Sequence, residues 1–345
     1  MAKKILLGLS TVHGISDLIA ENLTKCGFYV VNACYNDRQS QKFKYPSFWS
    51  WLKVRFKRDI LGIKEAKNDL EGEIRLKRLK QDLGKNEQLD YALFFLADNY
   101  SLDFIKYVRE RTNKGGMVNY QWDGLDRFPR IYQRLPFFDR VYVFDVQDLG
   151  KADNLLPTTS FYFDFDLSPQ PIVYDFYFLG GHRDDRMPFI VKFTEYAQQK
   201  NWHLNFNIVI NPRDKHKKAL YPSNVNFLFD HEAKEFRENL NAARQSRILL
   251  DFVISEHKGL SLRTFESIGY DKKLITTNAE VKKYDFYHPN NMFVLDNNFD
   301  ELEAFLTKPY IELDPSIKKK YSFSNWVNYV LNIEPYQPIL LPNEN

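Results

Sequence analysis

The chain has 345 residues, more than one typical domain, and this length predicts two domains of about 150 to 200 residues each. Its hydrophobic content of 44% and charged content of 27% exclude a disordered or fibrous protein. The formal net charge of +3 provides no global field that would favour nucleic acid as a partner. The first residues lead into an apolar run too short for a secretory signal or a membrane span, so we expect a cytoplasmic protein.

The first 150 residues alternate between apolar strands and amphipathic helices. This βα rhythm predicts a parallel sheet flanked by helices, which we assign to an N-terminal Rossmann-like domain at 1–155. The first turn contains only Gly14 and no Gly-x-Gly-x-x-Gly run, which argues against a dinucleotide cofactor and a dinucleotide-dependent epimerase. The predicted strands are 4–9, 28–33, 91–96, 116–119 and 140–144, and the helices are 17–26 and 102–111.

Three polar residues follow strands at the predicted carboxyl edge of this first sheet. His13 and Asp17 come after the first strand, and Asp123 follows the strand at 116–119. Histidine titrates near neutrality and carboxylates accept protons, so each is a candidate acceptor ligand or catalytic base. The alternatives are a structural role for His13, a charge near the helix start for Asp17, and a turn at Asp123-Gly124.

A basic and aromatic segment interrupts the pattern after the second strand. Residues 42–58 interleave lysines and arginines with Phe, Tyr and Trp, and a strongly charged helix is predicted to continue to residue 83. Such a segment suits anionic lipid or an anionic glycolipid, so we predict peripheral contact with the inner face of a membrane through 42–58. A solvated helical hairpin remains the alternative, and nucleic acid is not expected.

A second βα series begins after a proline-bearing segment at 151–171, which we interpret as the linker. It defines a second domain at 172–320, followed by a C-terminal helix and tail at 321–345, and we expect the tail after Pro335 to fray. The predicted strands are 175–179, 202–210, 226–229, 247–254, 273–276 and 292–295, and the helices lie near 186–200, 236–245, 261–270, 300–306 and 321–331.

Two glycines follow the first strand of this second series. Gly180 and Gly181 are predicted to form a turn through which the backbone approaches a ligand, with Arg186, in preference to Arg183, contacting a diphosphate. An ordinary turn is the alternative.

The stretch from Leu249 to Tyr287 carries the strongest signal. It predicts strand, turn, helix and strand, with Ser261 as N-cap of the helix. Arg263 and Glu266 lie three residues apart and share a helix face near a helix start that favours phosphate. For an arbitrary Arg-x-x-Glu pair, a surface ion pair is the simpler interpretation.

The run from Gly259 to Glu266, with Gly269 and 273–278, resembles the donor-site signature of GT-B glycosyltransferases from bacterial lipopolysaccharide and capsule clusters. It is also similar to the Arg-x-Phe-Glu-Ala-x-x-x-Gly motif of spore-coat-type glycosyltransferases. This resemblance implies an α/β GT-B fold with two Rossmann-like domains and a cleft between them. It also implies that Glu266 holds the donor ribose. Glu256 lies ten residues before Glu266, where many retaining members have a glutamate eight before, so Glu256 is not assigned a catalytic role.

The resemblance further implies a metal-independent transferase that moves a sugar from a nucleotide-sugar donor, with UDP-sugar favoured, to a surface glycan or glycolipid. No Asp-x-Asp lies between strands as a metal motif, and we expect neither metal nor cofactor. A CMP-ulosonic acid or furanosyl donor, or a non-catalytic nucleotide-sugar-binding protein, remains the alternative. The predicted donor-binding residues are Gly180, Gly181, Arg186, Lys258, Gly259, Leu260, Ser261, Arg263, Thr264 and Glu266.

Overall fold

The computed structural model describes residues 2–9, 14–34, 45–62, 66–84, 87–229, 232, 235–253, 258–296 and 299–342. The chain divides into two compact units. The first contains Ile19–Val143 and Gly150–Leu156 together with the first strand, and the second contains Phe144–Leu149 and Pro157–Asn345. Each unit is built around its own six-stranded sheet.

The first sheet has the order β2-β1-β3-β4-β5-β6. The pairs β2–β1, β1–β3, β3–β4 and β4–β5 are parallel. The chain moves outward in opposite directions from β1 and β3, so the topological switch point lies between these two strands. The strands are β1 (Lys3–Leu9), β2 (Phe28–Asn32), β3 (Tyr91–Phe95), β4 (Met117–Gln121), β5 (Arg140–Val143) and β6 (Leu155–Pro157), and the helices are α1 (Ile15–Lys25), α2 (Phe48–Asp59), α3 (Ala66–Asp82) and α4 (Leu102–Arg111).

The central strands of this sheet are apolar along their length because helices and loops cover both faces. Ile5, Leu6 and Leu7 are consecutive in β1, and all three are completely buried. Such continuous apolar runs are typical of parallel strands rather than of half-exposed antiparallel ones. The predicted parallel sheet of the first half is therefore confirmed.

The second sheet has the order β12-β11-β10-β7-β8-β9, and each of its neighbouring pairs is parallel. Its switch point lies between β7 and β10, where ligands of open α/β sheets bind at the carboxyl ends of the strands. The strands are β7 (Tyr174–Gly181), β8 (Leu204–Ile210), β9 (Asn226–Phe229), β10 (Ser246–Asp251), β11 (Lys273–Thr276) and β12 (Met292–Val294), and the helices are α5 (Met187–Gln199), α6 (Phe236–Arg244), α7 (Leu262–Gly269), α8 (Leu302–Thr307), α9 (Pro315–Lys320) and α10 (Phe323–Leu331).

Aromatic side chains fill the core of the second unit. The rings of Phe193 and Phe206 stack with centroids 5.7 Å apart, and Phe252 meets Phe178 edge to face at 5.1 Å. Aromatic rings bury large apolar areas in offset or edge-to-face contacts. Core packing therefore accounts for a large share of the 29 phenylalanines in the sequence.

The division into two units includes a boundary between Leu156 and Pro157, inside the segment 151–171 that we interpret as the linker. The segment interpreted as a linker is buried from Thr158 to Phe163, and the indole N–H of Trp326 in α10 donates to the carbonyl of Thr159 at 3.1 Å. The expected fraying after Pro335 is not found over 336–342, the part of the tail that the structure describes, since Asn325 Oδ1 accepts from the Gln337 N–H at 2.7 Å and Ile339 is completely buried. Both segments are polar or proline-rich in sequence, and their burial depends on α10 packing against them.

Candidate functional site

Buried polar side chains gather at the carboxyl ends of β7 and β10, beside the start of α7. Asp251 is the last residue of β10, and Gly180 and Gly181 are the last residues of β7. The predicted turn at the two glycines is wrong, because both pair with β8, Gly180 opposite Ile208 and Gly181 opposite Val209. The predicted strand at 247–254 is also shorter than expected and ends at Asp251.

Arg263 and Glu266 of α7 form an ion pair, as their spacing predicts, but the pair is buried rather than presented on the surface. Their side chains are 14% and 4% exposed. The Arg263 guanidinium lies 4.6 Å from the ring centroid of Tyr177 in β7. Burial raises the pKa of the Glu266 carboxyl, and the positive charge of Arg263 acts in the opposite direction. A surface ion pair is therefore excluded for these two residues.

A second carboxylate, Asp251, belongs to the same cluster and was not singled out from the sequence. Its Oδ2 accepts a hydrogen bond from the Thr276 hydroxyl at 3.3 Å. Burial raises the pKa of Asp251, while Ser261, Arg263 and Arg186 lower it. Its position after an apolar run was the signal in the sequence that could have identified it as a site residue. A carboxylate that ends such a strand lies at the ligand-binding edge of a parallel sheet.

Arg186 precedes α5 and folds back over the end of β7. Its Nη2 donates to the Gly181 carbonyl, and its Nη1 lies 3.5 Å from the carbonyl oxygen of Phe252. Burial lowers the pKa of Arg186, and the carboxylate of Asp251 opposes that effect. The side chain is thus held in the cluster by a backbone carbonyl at the end of β7, by one just after β10, and by one negative charge.

Four buried polar atoms in this cluster have no hydrogen-bond partner among the residues that the structure describes. They are the Tyr177 hydroxyl, Arg186 Nε, the Ser261 hydroxyl and Thr264 Oγ1. The Ser261 hydroxyl is close to Asp251, and the Tyr177 hydroxyl is close to Arg263, but neither reaches hydrogen-bond geometry. Ser261 occupies the predicted N-cap position but makes no side-chain cap bond. Since buried polar groups are normally paired, this concentration at one sheet edge is typical of a site for a polar ligand.

The residues just before α7 have a packing role. The N–H of Lys258 donates to Asp145 Oδ2 at 2.8 Å, and its carbonyl accepts from the Asn278 side chain at 3.0 Å. A methyl group on Gly259 would lie 2.3 Å from a ring carbon of Phe144, so this glycine is required by a side chain of the protein. Leu260 is a core residue. These contacts hold the start of α7 in place.

The structure describes two of the three candidate acid–base residues, Asp123 and Asp17, each in its local surroundings. Asp123 is engaged locally, because its Oδ1 accepts from the Gly124 N–H at 2.9 Å and its Oδ2 accepts from Arg127 at 2.7 Å. Asp17 lies half-buried in the first turn of α1, which begins two residues earlier than predicted. His13 and Glu256 lie outside the described residues.

A buried carboxylate in the first unit was missed by the sequence analysis. Asp98 follows β3, after Leu96 in the left-handed region with φ of 53°. Its Oδ1 and the Nε2 of Gln121 are both buried without a hydrogen-bond partner among the described residues. Burial raises the pKa of Asp98, with the Gln121 side chain and Arg134 opposing it. In the sequence, its only signal was that it closely follows an apolar strand, since strand ends form the ligand-binding edge of a parallel sheet.

Within the described ranges, no group of three or more His, Cys, Asp or Glu side chains has an arrangement that could hold a metal ion. In the same ranges, no helix combines the length and apolar character needed to cross a membrane.

Comparison with known proteins identifies the fold. No protein-family model and no curated protein sequence matches the chain. Among solved structures, an α-glucosyltransferase in complex with UDP and a 13-mer DNA containing an HMU base aligns with a TM-score of 0.51 and 12% identity, covering 97% of this chain and 94% of that one. The apo lipopolysaccharide outer core galactosyltransferase WaaB aligns with a TM-score of 0.47 and 13% identity over 94% of this chain and 98% of that one. A protein from Listeria monocytogenes assigned as a UDP-N-acetylglucosamine 2-epimerase aligns with a TM-score of 0.47 and 12% identity, covering 99% of this chain and 100% of that one.

The predicted fold class is therefore confirmed as α/β of the GT-B type, with two six-stranded parallel sheets. At these identities the likeness concerns the fold, and function has to be argued from the site.

Proposed function

We propose that the chain is a metal-independent glycosyltransferase that transfers a sugar from a nucleotide-sugar donor, and that the cluster at β7, β10 and α7 binds this donor. The observation that carries the proposal is that four buried polar atoms at the switch point of the second sheet, in the same cluster as Arg263, have no hydrogen-bond partner among the residues that the structure describes. A nucleoside diphosphate matches this set, because it offers phosphate oxygens to N–H donors and ribose hydroxyls to oxygen acceptors.

A metal-independent transfer requires the site to stabilise the departing diphosphate without a metal ion. In this proposal Arg186 and the N–H groups at the start of α7 take the phosphate oxygens, since a helix N-terminus and a guanidinium both favour negative charge. Ser261 and Thr264 supply hydroxyls at the same helix end, and Glu266 binds the ribose hydroxyls. Arg263 keeps Glu266 ionised and orients it. Gly259, Leu260 and Lys258 contribute by positioning the backbone.

The donor and acceptor are proposed at a finer level from the sequence resemblance. We favour a UDP-sugar and a surface glycan or glycolipid acceptor of lipopolysaccharide or capsule biosynthesis. A CMP-ulosonic acid or a furanosyl donor is the alternative, because the ribose and phosphate contacts do not select the base or the sugar. For an inverting reaction, His13, Asp17 or Asp123 would be the candidate base. The UDP-bound structural neighbour also holds DNA, but the near-balanced charge of this chain does not favour a nucleic-acid acceptor.

Titration with UDP, CMP and dTDP by isothermal calorimetry tests the donor assignment. We expect UDP to bind most tightly and Arg186→Gln to weaken binding by about tenfold to a hundredfold, as for loss of a charge-assisted hydrogen bond. Arg183→Gln is the matched control, because this arginine is only three residues away and pairs with the exposed Asp185. Equal UDP affinity in the two variants, or no nucleotide binding by the wild type, would refute the site.

A turnover measurement distinguishes a transferase from a protein that binds a nucleotide-sugar without catalysis. The measurement is release of UDP from UDP-hexoses by the wild type, with and without a glycolipid extract as acceptor. We expect acceptor-dependent release that Glu266→Gln abolishes. Tight UDP binding with no turnover of any donor would favour the non-catalytic alternative.

We also include in the proposal the peripheral contact with the inner face of a membrane predicted for 42–58. Residues 42–44 lie outside the described residues, so the structural support comes from the segment that begins at Tyr45. A glycolipid acceptor would give such a contact its purpose.

A further inference from the structure

Helix α2 packs against the protein along one narrow face. Val54 is its only buried residue, and α3 is the helix with which it makes its main contacts. The helix begins at a capping box, in which the Ser47 hydroxyl accepts from the Ser50 N–H at 3.1 Å and the Ser50 hydroxyl accepts from the Ser47 N–H at 3.0 Å. Its start is therefore well defined, while most of its surface faces solvent.

The face opposite Val54 is largely apolar, and Asp59, seven residues after Leu52, is the one charged residue on it. Phe48, Leu52 and Phe56 follow one another at intervals of four residues, so they form one stripe along the helix, and Trp49 and Ile60 lie beside that stripe. Their exposed fractions are 65% for Phe48, 74% for Trp49, 53% for Phe56 and 69% for Ile60. With Leu52 and Leu61, they account for six of the fourteen large hydrophobic residues exposed in the described chain. A helix surrounded by water would carry polar residues on this side.

Lys53 and Arg55 border this apolar face, and Lys57 and Arg58 lie nearer the side of Val54. Helix α2 carries Lys53, Arg55, Lys57 and Arg58 but only one acid, Asp59, which leaves a net charge of 4 − 1 = +3 on the helix. Both arginines share that acid, with Nε to carboxylate distances of 3.4 Å from Arg55 and 2.7 Å from Arg58. An exposed apolar stripe bordered by cations complements an anionic lipid surface, where rings enter the headgroup region and cations meet phosphates.

We propose that α2 lies in the plane of an anionic membrane surface, with the face formed by Phe48, Trp49, Leu52, Phe56 and Ile60 inserted among the lipid headgroups. This deepens the proposed membrane contact by moving it to 48–61 and by naming the lipid class and the inserted side chains. Lipid binding by this face is independent of the donor site, whereas its purpose, bringing the enzyme to a glycolipid acceptor, rests on the proposed function.

Vesicle flotation with the full chain tests the proposal. We expect the wild type to float with vesicles of phosphatidylcholine mixed with phosphatidylglycerol and to stay behind with phosphatidylcholine alone. The triple variant Phe48→Ser/Leu52→Ser/Phe56→Ser should bind the mixed vesicles at least about tenfold more weakly, because the inserted apolar area is lost. The control Ile172→Ser/Val173→Ser/Leu220→Ser removes three other exposed apolar side chains, which are 43%, 46% and 51% exposed, and should bind like the wild type.

Variants that reverse the charge of basic residues in α2 provide a second test. Lys53→Glu/Lys57→Glu should weaken binding to the mixed vesicles and flatten its dependence on salt, since each basic residue near an anionic surface contributes to the attraction. An unchanged thermal unfolding midpoint in both α2 variants would show that folding is intact, as their exposed positions predict.

The proposal is overturned if the wild type does not bind the vesicles that contain phosphatidylglycerol, or if the triple variant binds them as tightly as the wild type. It is also overturned if the wild type is a dimer that the triple variant converts to a monomer, because the face would then join two copies of the chain. UDP titration of the triple variant keeps the two proposals apart. Unchanged UDP affinity with lost vesicle binding supports the lipid surface, and a wild type that binds vesicles but not UDP refutes only the donor site.

Discussion

The guanidinium of Arg186 lies directly over Gly180, so closely that a Cβ on this glycine would be 2.8 Å from Nη2. The same Cβ would be 2.9 Å from Cζ of Phe178. Gly180 is therefore required so that a side chain of the protein can reach the ligand-binding edge of the sheet. The Gly-Gly pair was predicted to let the backbone approach a ligand, whereas in the structure Gly180 makes room for the Arg186 guanidinium.

This relationship yields a matched pair of variants. Gly180→Ala should displace Arg186, lower the free energy of unfolding by about 1–3 kcal/mol through overpacking, and reduce UDP affinity. Gly181→Ala should change stability by less than about 0.5 kcal/mol, because its added Cβ meets no atom closer than 3.8 Å. Urea unfolding and UDP titration of both variants provide the comparison. Similar effects at the two glycines would contradict the role assigned to Gly180.

The buried pair of Arg263 and Glu266 predicts a large loss of stability when one partner is neutralised. Glu266→Gln should lower the free energy of unfolding by about 3 kcal/mol, because the Arg263 charge stays buried without its partner. Glu280→Gln is the control, since Glu280 pairs with Lys283 at the same three-residue spacing but on the surface, and it should cost less than about 0.5 kcal/mol. A smaller loss for Glu266→Gln than for Glu280→Gln in urea unfolding would contradict the buried pair.

The side chain of Lys273 caps the C-terminal end of α8, an interaction that no local sequence pattern indicates. Its ammonium donates to the carbonyls of Phe305, Leu306 and Lys308 at 2.8, 3.0 and 2.5 Å. Lys273→Met keeps the apolar stem but leaves these carbonyls without their shared donor, so we expect a loss of about 2–3 kcal/mol in chemical unfolding. Lys282→Met, at an exposed position, should leave stability unchanged, and an equal effect of both variants would exclude the capping role.

Asp98 predicts a pH dependence of stability in the first unit. Because burial raises the pKa of its carboxyl above the ordinary value of 3.8, the folded state holds the proton more tightly than the unfolded state. This contribution is fully present below the unfolded pKa and is lost as the pH rises through the folded pKa. Asp98→Asn should therefore gain stability relative to the wild type as the pH increases from about 4 towards 7. Urea unfolding across this range measures the difference, and a difference that is constant with pH would contradict the prediction.

The alternation of strands and helices in both halves was predicted from the sequence, although β6 and α9 were not. Apolar runs such as Ile5–Leu7 and Leu249–Leu250, separated by amphipathic helices, predicted parallel sheets in both halves, and the structure has both. This pattern is local, since a strand buried on both faces must be apolar throughout. The pairing of Arg263 with Glu266 was also predicted, because helical spacing places residues three apart on one face.

The tertiary structure alone decided which of the candidate site residues are buried and which distant residues they contact. Whether the Arg263–Glu266 pair faces water depends on Tyr177, which precedes it by more than eighty residues, and the need for Gly180 depends on where Arg186 folds back. Asp251 and Asp98 became visible as candidate site residues only when strand order placed them beside the two switch points. A sequence specifies periodicity and local spacing directly, whereas desolvation of a charge and a steric limit on a Cβ depend on which strands and helices pack together.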